Sequence, residues 1–305
     1  MRRAWSLVSV AAVVLLTQSA WGIVRRHDVD DSQYINLANQ PQFAAVGKVF
    51  TSTSAGSGTV IANGWWVLTA AHVVAGAPVS SISFKIGAST YTAQNVFIHP
   101  GYPGGPLPTA DIALIELSAP VAGVTPAQIY TGTNEIGKHG HSVGYGLTGT
   151  GITGFINGTY GTKRAMQNVI DLIVLPNGAI DPNGTILLSD FDSPSPGGTN
   201  NSLGLWGSSP TPLGLEGMGA PGDSGGPVFI EEGGVWYIAG VHSFIGDPGP
   251  PAGNGQADAR YGDILGSTRV SSYAGWINSI VPEPASMTAL AIGLIGLLAR
   301  RRRSR

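Results

Sequence analysis

The 305-residue chain contains no cysteine. It therefore has no disulfide framework and no thiolate metal site. Charged residues make up only 11% of the chain, a composition that argues against a nucleic-acid binder. Apolar runs are also short: neither Val8 to Leu16 nor Met287 to Ala299 reaches the roughly 20 residues a helix needs to cross the hydrocarbon core. What the chain has in plenty is turn-forming residues, 45 Gly and 21 Pro, alongside 43% hydrophobic residues. That combination reads as a turn-rich, ordered all-β protein rather than a disordered one.

Both ends read as targeting segments. Arg2 and Arg3 precede the first apolar run, and Ala20 and Gly22 stand at the −3 and −1 positions of a cleavage site. Residues 1–22 are expected to form a removable signal peptide, with an uncleaved anchor as the alternative. At the other end Pro282-Glu283-Pro284 precedes the second apolar run and then Arg300-Arg301-Arg302-Arg303-Ser304-Arg305. The basic cluster would hold this terminus on the cytoplasmic side of a membrane. Residues 281–305 resemble the PEP-CTERM sorting signal of Gram-negative bacteria. The resemblance implies handling by an exosortase, transient membrane association and delivery outside the inner membrane, with a retained membrane anchor as the plainer alternative. Seven of the 16 basic and one of the 18 acidic side chains lie in the two end segments, so residues 23–280 carry nine basic and 17 acidic, a net charge of −8. A secreted body fits this balance, and a nucleic-acid partner does not.

Within the body, the polar stretch 28–42 reads as surface coil. Strands are expected at Val46 to Thr51, Gly56 to Ile61 and Trp65 to Thr69, the last two joined as a hairpin through Ala62-Asn63-Gly64. His72 follows at the end of that strand, where a structural histidine is the bland reading. Ile82 to Ile86 and Tyr91 to Ile98 read as strands, and Asp111 opens a mostly buried one, Ile112 to Leu117. Taken alone, Asp111 is a turn-closing aspartate. A connection near 120–138 leads into a second β-rich half, with strands expected at His139 to Gly146, Ala165 to Leu175, Pro227 to Ile230 and Val235 to Val241. His139 and His141 have no third ligand nearby in sequence, and no metal site is expected there. In the polar 177–219 stretch, Asp190 and Asp192 with Asp181 to Gly184 offer oxygens suited to calcium, but the spacing does not match an EF-hand loop. Tyr273, Trp276, Ile277 and Ile280 share one face of a short C-terminal helix.

The chain is organised around Gly222-Asp223-Ser224-Gly225-Gly226-Pro227. Glycines flank a serine hydroxyl there, leaving a carbonyl room to approach, and the N–H groups of Gly222 and Ser224 can converge on an oxyanion. A Gly-rich hairpin turn is the bland reading of the same residues. The order His72, Asp111, Ser224 then adds weight, together with His99-Pro100-Gly101-Tyr102, Val143-Gly144-Tyr145-Gly146, Gln167-Asn168-Val169 and Tyr273-Ala274-Gly275-Trp276-Ile277. On these residues 23–280 resemble the trypsin/chymotrypsin-like serine proteases. The G-x-S-x-G reading of an α/β-hydrolase fails, because that fold orders Ser, acid, His and only His242 follows Ser224.

The resemblance implies two six-stranded antiparallel Greek-key barrels with a short C-terminal helix. It also implies a secreted endopeptidase that needs no cofactor and acts on protein or peptide. His72 would be the general base, Asp111 would orient it, Ser224 would be the nucleophile, and Gly222 with Ser224 would form the oxyanion hole. An Ile23 amino terminus, freed by the signal-peptide cut, would pair with Asp223. Arg25-Arg26 departs from the two glycines usual there. Val73 and Ala220 stand where the family has half-cystines. Met218 replaces the aspartate that selects basic side chains in trypsin, and Ile245 narrows the wall formed with Ser243, so a small or medium apolar residue is expected before the scissile bond. The competing readings are a catalytically silent homologue that binds extracellular matrix and a structural matrix protein.

Overall fold

The computed structural model describes residues 22–104, 109–195 and 200–281. The expected signal peptide and sorting tail lie outside these residues except for Gly22 and Val281.

The first half is a closed six-stranded antiparallel barrel. Its strands are Val46–Phe50, Ala55–Ile61, Trp66–Thr69, Ser83–Ile86, Ser89–Ile98 and Ala113–Leu117. Trp66–Thr69 pairs with Ala113–Leu117, with Leu68 opposite Leu114 and Thr69 opposite Ala113. Leu114, Ile115 and Leu117 are all completely buried. The last barrel strand thus faces core on both sides, as its unbroken apolar run predicts. This pairing places the residue before Ala71 and the residues before Ala113 at one end of the barrel, where His72 and Asp111 lie.

The second half is an open antiparallel sheet of eight strands. It is built mainly from His139–Gly144, Arg164–Val169, Leu172–Val174, Ile186–Asp190, Pro227–Glu232, Val235–Gly246 and Ile264–Arg269. Gln128–Ile129 adds to Val235–Gly246 in parallel. A second closed six-stranded barrel is therefore not what the hydrogen bonding gives. The ladder begins at Arg164–Val169 and ends at Leu172–Val174, two pieces of the single strand expected from the sequence. They are parted at Ile170 and Asp171. The hairpin Pro227–Glu232 to Val235–Gly246 turns at Gly233 and Gly234, whose φ values of 61° and 81° are those a two-residue primed turn demands.

The stretch 28–42 is not coil. Asp30 caps a helix, Asp31–Ala38, by accepting a hydrogen bond from the Ser32 amide at 2.8 Å. Tyr34, Leu37 and Ala38, at i, i+3 and i+4, form its buried face, and Arg164 clamps Asp31 through two 2.7 Å bonds. The polar residues on the other face hide this pattern in the sequence. A 3-10 turn and the helix Ala274–Ile280 close the body, as the spacing of Tyr273 to Ile280 predicts.

Candidate active site

His72 stands on a four-residue helix, Ala71–Val74, rather than at a strand end. The helix turns its ring back toward Asp111. Nδ1 of His72 meets Oδ2 of Asp111 at 2.7 Å, and the backbone N–H of His72 donates to Oδ1 at 2.8 Å. Asp111 follows Ala110, a non-glycine residue at φ 50°, in a tight turn where the Ile112 N–H donates to the Ala110 carbonyl at 2.8 Å. Thr268 holds that turn from the second sheet by donating to the Asp111 carbonyl at 2.9 Å. The Asp111 side chain is 4% exposed and that of His72 33%. One group is thus shielded from water while the other opens to it.

Ser243 completes the arrangement, its hydroxyl donating to Oδ2 of Asp111 at 2.6 Å. Sequence reasoning gave Ser243 to the substrate pocket and missed this bond. Its cause is a β-bulge: on strand Val235–Gly246, His242 pairs with Ser267 and Phe244 with Gly266, so Ser243 is the unmatched residue between them. A bulge re-aims a side chain out of the ordinary alternation, and no residue pattern announces it. Burial opposes ionisation of Asp111, but the hydrogen bonds from His72 and Ser243 outweigh it and hold the carboxyl below its ordinary value. An ionised Asp111 fixes the Nδ1–H tautomer of His72 and leaves Nε2 as the basic nitrogen.

The Ser224 turn is anchored to the first barrel. The Ser57 N–H donates to the Ser224 carbonyl at 2.8 Å, and its hydroxyl donates to the Gly222 carbonyl at 3.0 Å. Gly225 sits at φ 81°, and a Cβ there would fall 2.1 Å from Thr69 Oγ1 and 2.4 Å from the Ser57 carbonyl oxygen, so only glycine lets the turn lie this close to the barrel. The amides of Asp223, Gly225 and Gly226 are bonded to Ala220, His242 and Asp223 carbonyls. Those of Gly222 and Ser224 have no protein acceptor among the described residues. Ser57, flanked by Gly56 and Gly58 in an ordinary hairpin strand, carries no sequence signal of this clamp.

Ser224 and Ser243 line one cavity of about 270 Å3. Its wall is largely apolar, with Phe244, Ile245, Ala257 and Leu265, and it runs along Gly219, Ala220 and Pro221. Ile245 is one of the residues on this wall. Met218 is not on this wall. It is fully buried beside Ile23, Tyr34 and Met166, because its strand, Gly217–Met218, pairs with Val24–Arg25. The apolar floor instead comes from Ala257 and Leu265, which sequence reasoning did not single out.

Asp223 is completely enclosed, with its two oxygens accepting from Gly146 and Ala220 N–H groups, both at 2.9 Å. Burial pushes its carboxyl up to about 8. Ile23 is fully buried, and a Cβ on Gly22 would fall 2.0 Å from the carbonyl oxygen of Gly146, the residue whose N–H serves Asp223. Gly146 thus lies against both Gly22, the residue before Ile23, and Asp223.

His139 is exposed. His141 is packed among Phe43 and Trp236. Among the described residues no group of three or more His, Cys, Asp and Glu side chains is arranged to hold a metal ion.

His72, Asp111 and Ser243 together form a triad-like His–Asp–Ser geometry that supports serine hydrolase activity and matches serine-protease chemistry. The trypsin family model matches residues 36–164, a span that includes His72 and Asp111 and stops before Ser224. A model of the PEP-CTERM protein-sorting motif matches residues 281–303. That motif is associated with cell-surface or secreted sorting in certain bacteria and implies an exosortase-type system. A trypsin-family domain is therefore present over residues 36–164 and a C-terminal PEP-CTERM sorting motif over residues 281–303.

Proposed function

We propose that the protein is an exported serine endopeptidase of Gram-negative bacteria in which Ser224 is the nucleophile and Ser243 a support for Asp111. The observation that carries the reading is the position of the two hydroxyls. Both line the same cavity, but the Ser243 proton is committed to Asp111 at 2.6 Å. Ser224 is therefore the hydroxyl available to attack. In this mechanism Nε2 of His72 takes the Ser224 proton as the oxygen adds to the substrate carbonyl, and Asp111 stabilises the resulting imidazolium. The amides of Gly222 and Ser224 receive the negative charge on the carbonyl oxygen. Donors of this kind contribute roughly 3–4 kcal/mol each to the barrier reduction. His72 returns the proton to the leaving amine, and water then repeats the cycle on the acyl-enzyme.

The apolar wall of Ile245, Phe244 and Leu265 supports a small or medium apolar side chain before the scissile bond. A signal-peptide cut after Gly22 would free Ile23 to pair with Asp223, whose buried carboxylate feels the charge of Arg164 but is in no ion pair among the described residues. The second sheet reads as a barrel of the first one's kind if the bent segment 164–174 is counted as one strand bridging His139–Gly144 and Ile186–Asp190. Residues 1–22 serve as the removable export signal, and the sorting segment associates with the membrane during transfer to the extracellular matrix.

The test is hydrolysis of peptidyl anilides ending in Ala, Val or Arg, with protein starting at Ile23. The reading predicts turnover of the Ala or Val substrates above the Arg one, and a loss of at least about 10⁴-fold in kcat for Ser224→Ala. Equal turnover of the Arg substrate overturns the pocket assignment. No hydrolysis by folded protein turns the reading to a silent, matrix-binding homologue.

A further inference from the structure

A second cavity, of about 230 Å3, lies apart from the hydrolytic one and is lined by Asp171, Asp192 and Glu216 together with Asn168, Ser208 and Trp206. Asp190, hydrogen-bonded to Asp171, adds a fourth carboxylate whose charge is felt by the other three. Among the described residues none of the four is in an ion pair with a basic side chain.

Some of the carboxylate oxygens are satisfied. Glu216 accepts from the Asp192 and Leu213 amides, each at 2.7 Å, and Asp190 accepts from the Leu203 amide at 2.8 Å and the Ser208 hydroxyl at 3.1 Å. Two are not. Among the described residues Oδ1 of Asp192, in a residue only 4% exposed, has no hydrogen-bond partner, and Oδ2 of Asp171 is likewise buried without one. Both residues line the cavity. A buried carboxylate without a partner costs several kcal/mol when ionised, so the cluster must hold protons or meet a positive charge. Burial and then the neighbouring carboxylates push Asp171 up to about 7 and Asp192 up to about 8.

The shape of the site decides which cation. No three acidic groups converge as a metal-ligand set among the described residues. The unpartnered oxygens belong to two different side chains on a cavity far larger than an ion. A guanidinium presents five donors in a planar fork and can serve two carboxylates at once. Trp206, 53% exposed, and Ile136, 55% exposed, lie on the open side of the same cavity. They offer an aromatic face for stacking and apolar surface for a methylene stem.

We propose that this cavity binds an arginine side chain of a protein partner. It is joined to the hydrolytic cavity through the chain itself: Glu216 on its wall is followed by Gly217–Met218, and Gly219 and Ala220 line the hydrolytic cavity. A partner held here is delivered beside the cleft, but binding at this site does not depend on the hydrolytic reading.

The test titrates the full chain with n-propylguanidinium, which has no scissile bond, and with the neutral isostere n-propylurea, by calorimetry at pH 8.5. The proposal predicts saturable millimolar binding of the guanidinium. It predicts none for the urea, a loss of tenfold or more in Asp192→Asn, and a severalfold loss in Trp206→Ala at the exposed rim. Affinity should weaken as the pH is lowered to 6, as Asp171, Asp192 and Glu216 take up protons. Absence of saturation overturns the proposal, as does equal affinity in Asp192→Asn, which would place the ligand elsewhere. A rise in Tm with calcium that Asp192→Asn abolishes, without guanidinium binding, reassigns the site to a metal ion and equally overturns it.

Discussion

Oδ2 of Asp111 is shared by two donors, Nδ1 of His72 at 2.7 Å and the hydroxyl of Ser243 at 2.6 Å. One comes from the first barrel and the other from a bulge in the second sheet, so a single carboxylate oxygen joins the two halves of the molecule at the reacting centre.

Loss of the Ser243 hydroxyl should weaken this centre without destroying it. A hydrogen bond to a charged group is worth roughly 1.5–3 kcal/mol, so Ser243→Ala should lower kcat by about tenfold to a hundredfold with little change in KM. Steady-state kinetics on an anilide substrate check this. A loss as large as that of Ser224→Ala would assign Ser243 a direct chemical part.

The buried Asp223 carboxylate predicts a strict requirement for the amino terminus at Ile23. A protein retaining one extra residue before Ile23 should lose at least about tenfold in activity, and Asp223→Asn should lose as much in the mature form. Unchanged turnover with the extra residue retained would show that the Ile23 amine is not Asp223's partner.

Away from the site, Glu135 and Arg269 form a bidentate pair, both bonds 2.8 Å, with side chains 0% and 3% exposed. It pins the segment between the two halves to strand Ile264–Arg269. Glu135→Ala leaves a buried guanidinium unpaired and should cost about 3–5 kcal/mol in urea denaturation. Glu135→Leu combined with Arg269→Met should cost clearly less than the two single changes together.

Two opposed sets of buried groups link stability to pH. Burial pushes His242 down to about 4. Its unfolded form takes a proton near pH 6.5, so its contribution is full above 6.5 and lost as the pH falls toward 4. Asp171, Asp192 and Glu216 run the other way. They are raised to about 7, 8 and 7, so their contribution is full below the ordinary carboxylate range and lost as the pH rises through 8. Tm of the protein without added cations should therefore decline from pH 6.5 to 8.5. Asp192→Asn, which removes one of these buried charges, should flatten that decline. A Tm that climbs over this interval contradicts the assignments.

Much of the first barrel was legible because its signals are local: Ala62-Asn63-Gly64 marks a hairpin, and the apolar run 112–117 marks a strand buried on both faces. His72, Asp111 and Ser224 were legible as short motifs in a fixed order. What the sequence hid depends on distant pairing. Ser243 reaches Asp111 only because a strand slips by one residue against Ile264–Arg269. Ser57 braces the Ser224 turn across 167 residues of chain. Asp190 and Asp192 looked like loop polarity until folding set them beside Asp171 and Glu216. The helix Asp31–Ala38 was missed because only three of its residues face the core.

The most direct test is to label the protein, begun at Ile23, with a fluorophosphonate and map the modified residue by mass spectrometry of its peptides. The account predicts a single adduct on Ser224, abolished by Ser224→Ala and retained, at a slower rate, in Ser243→Ala. An adduct on Ser243, or labelling that survives Ser224→Ala, would contradict it.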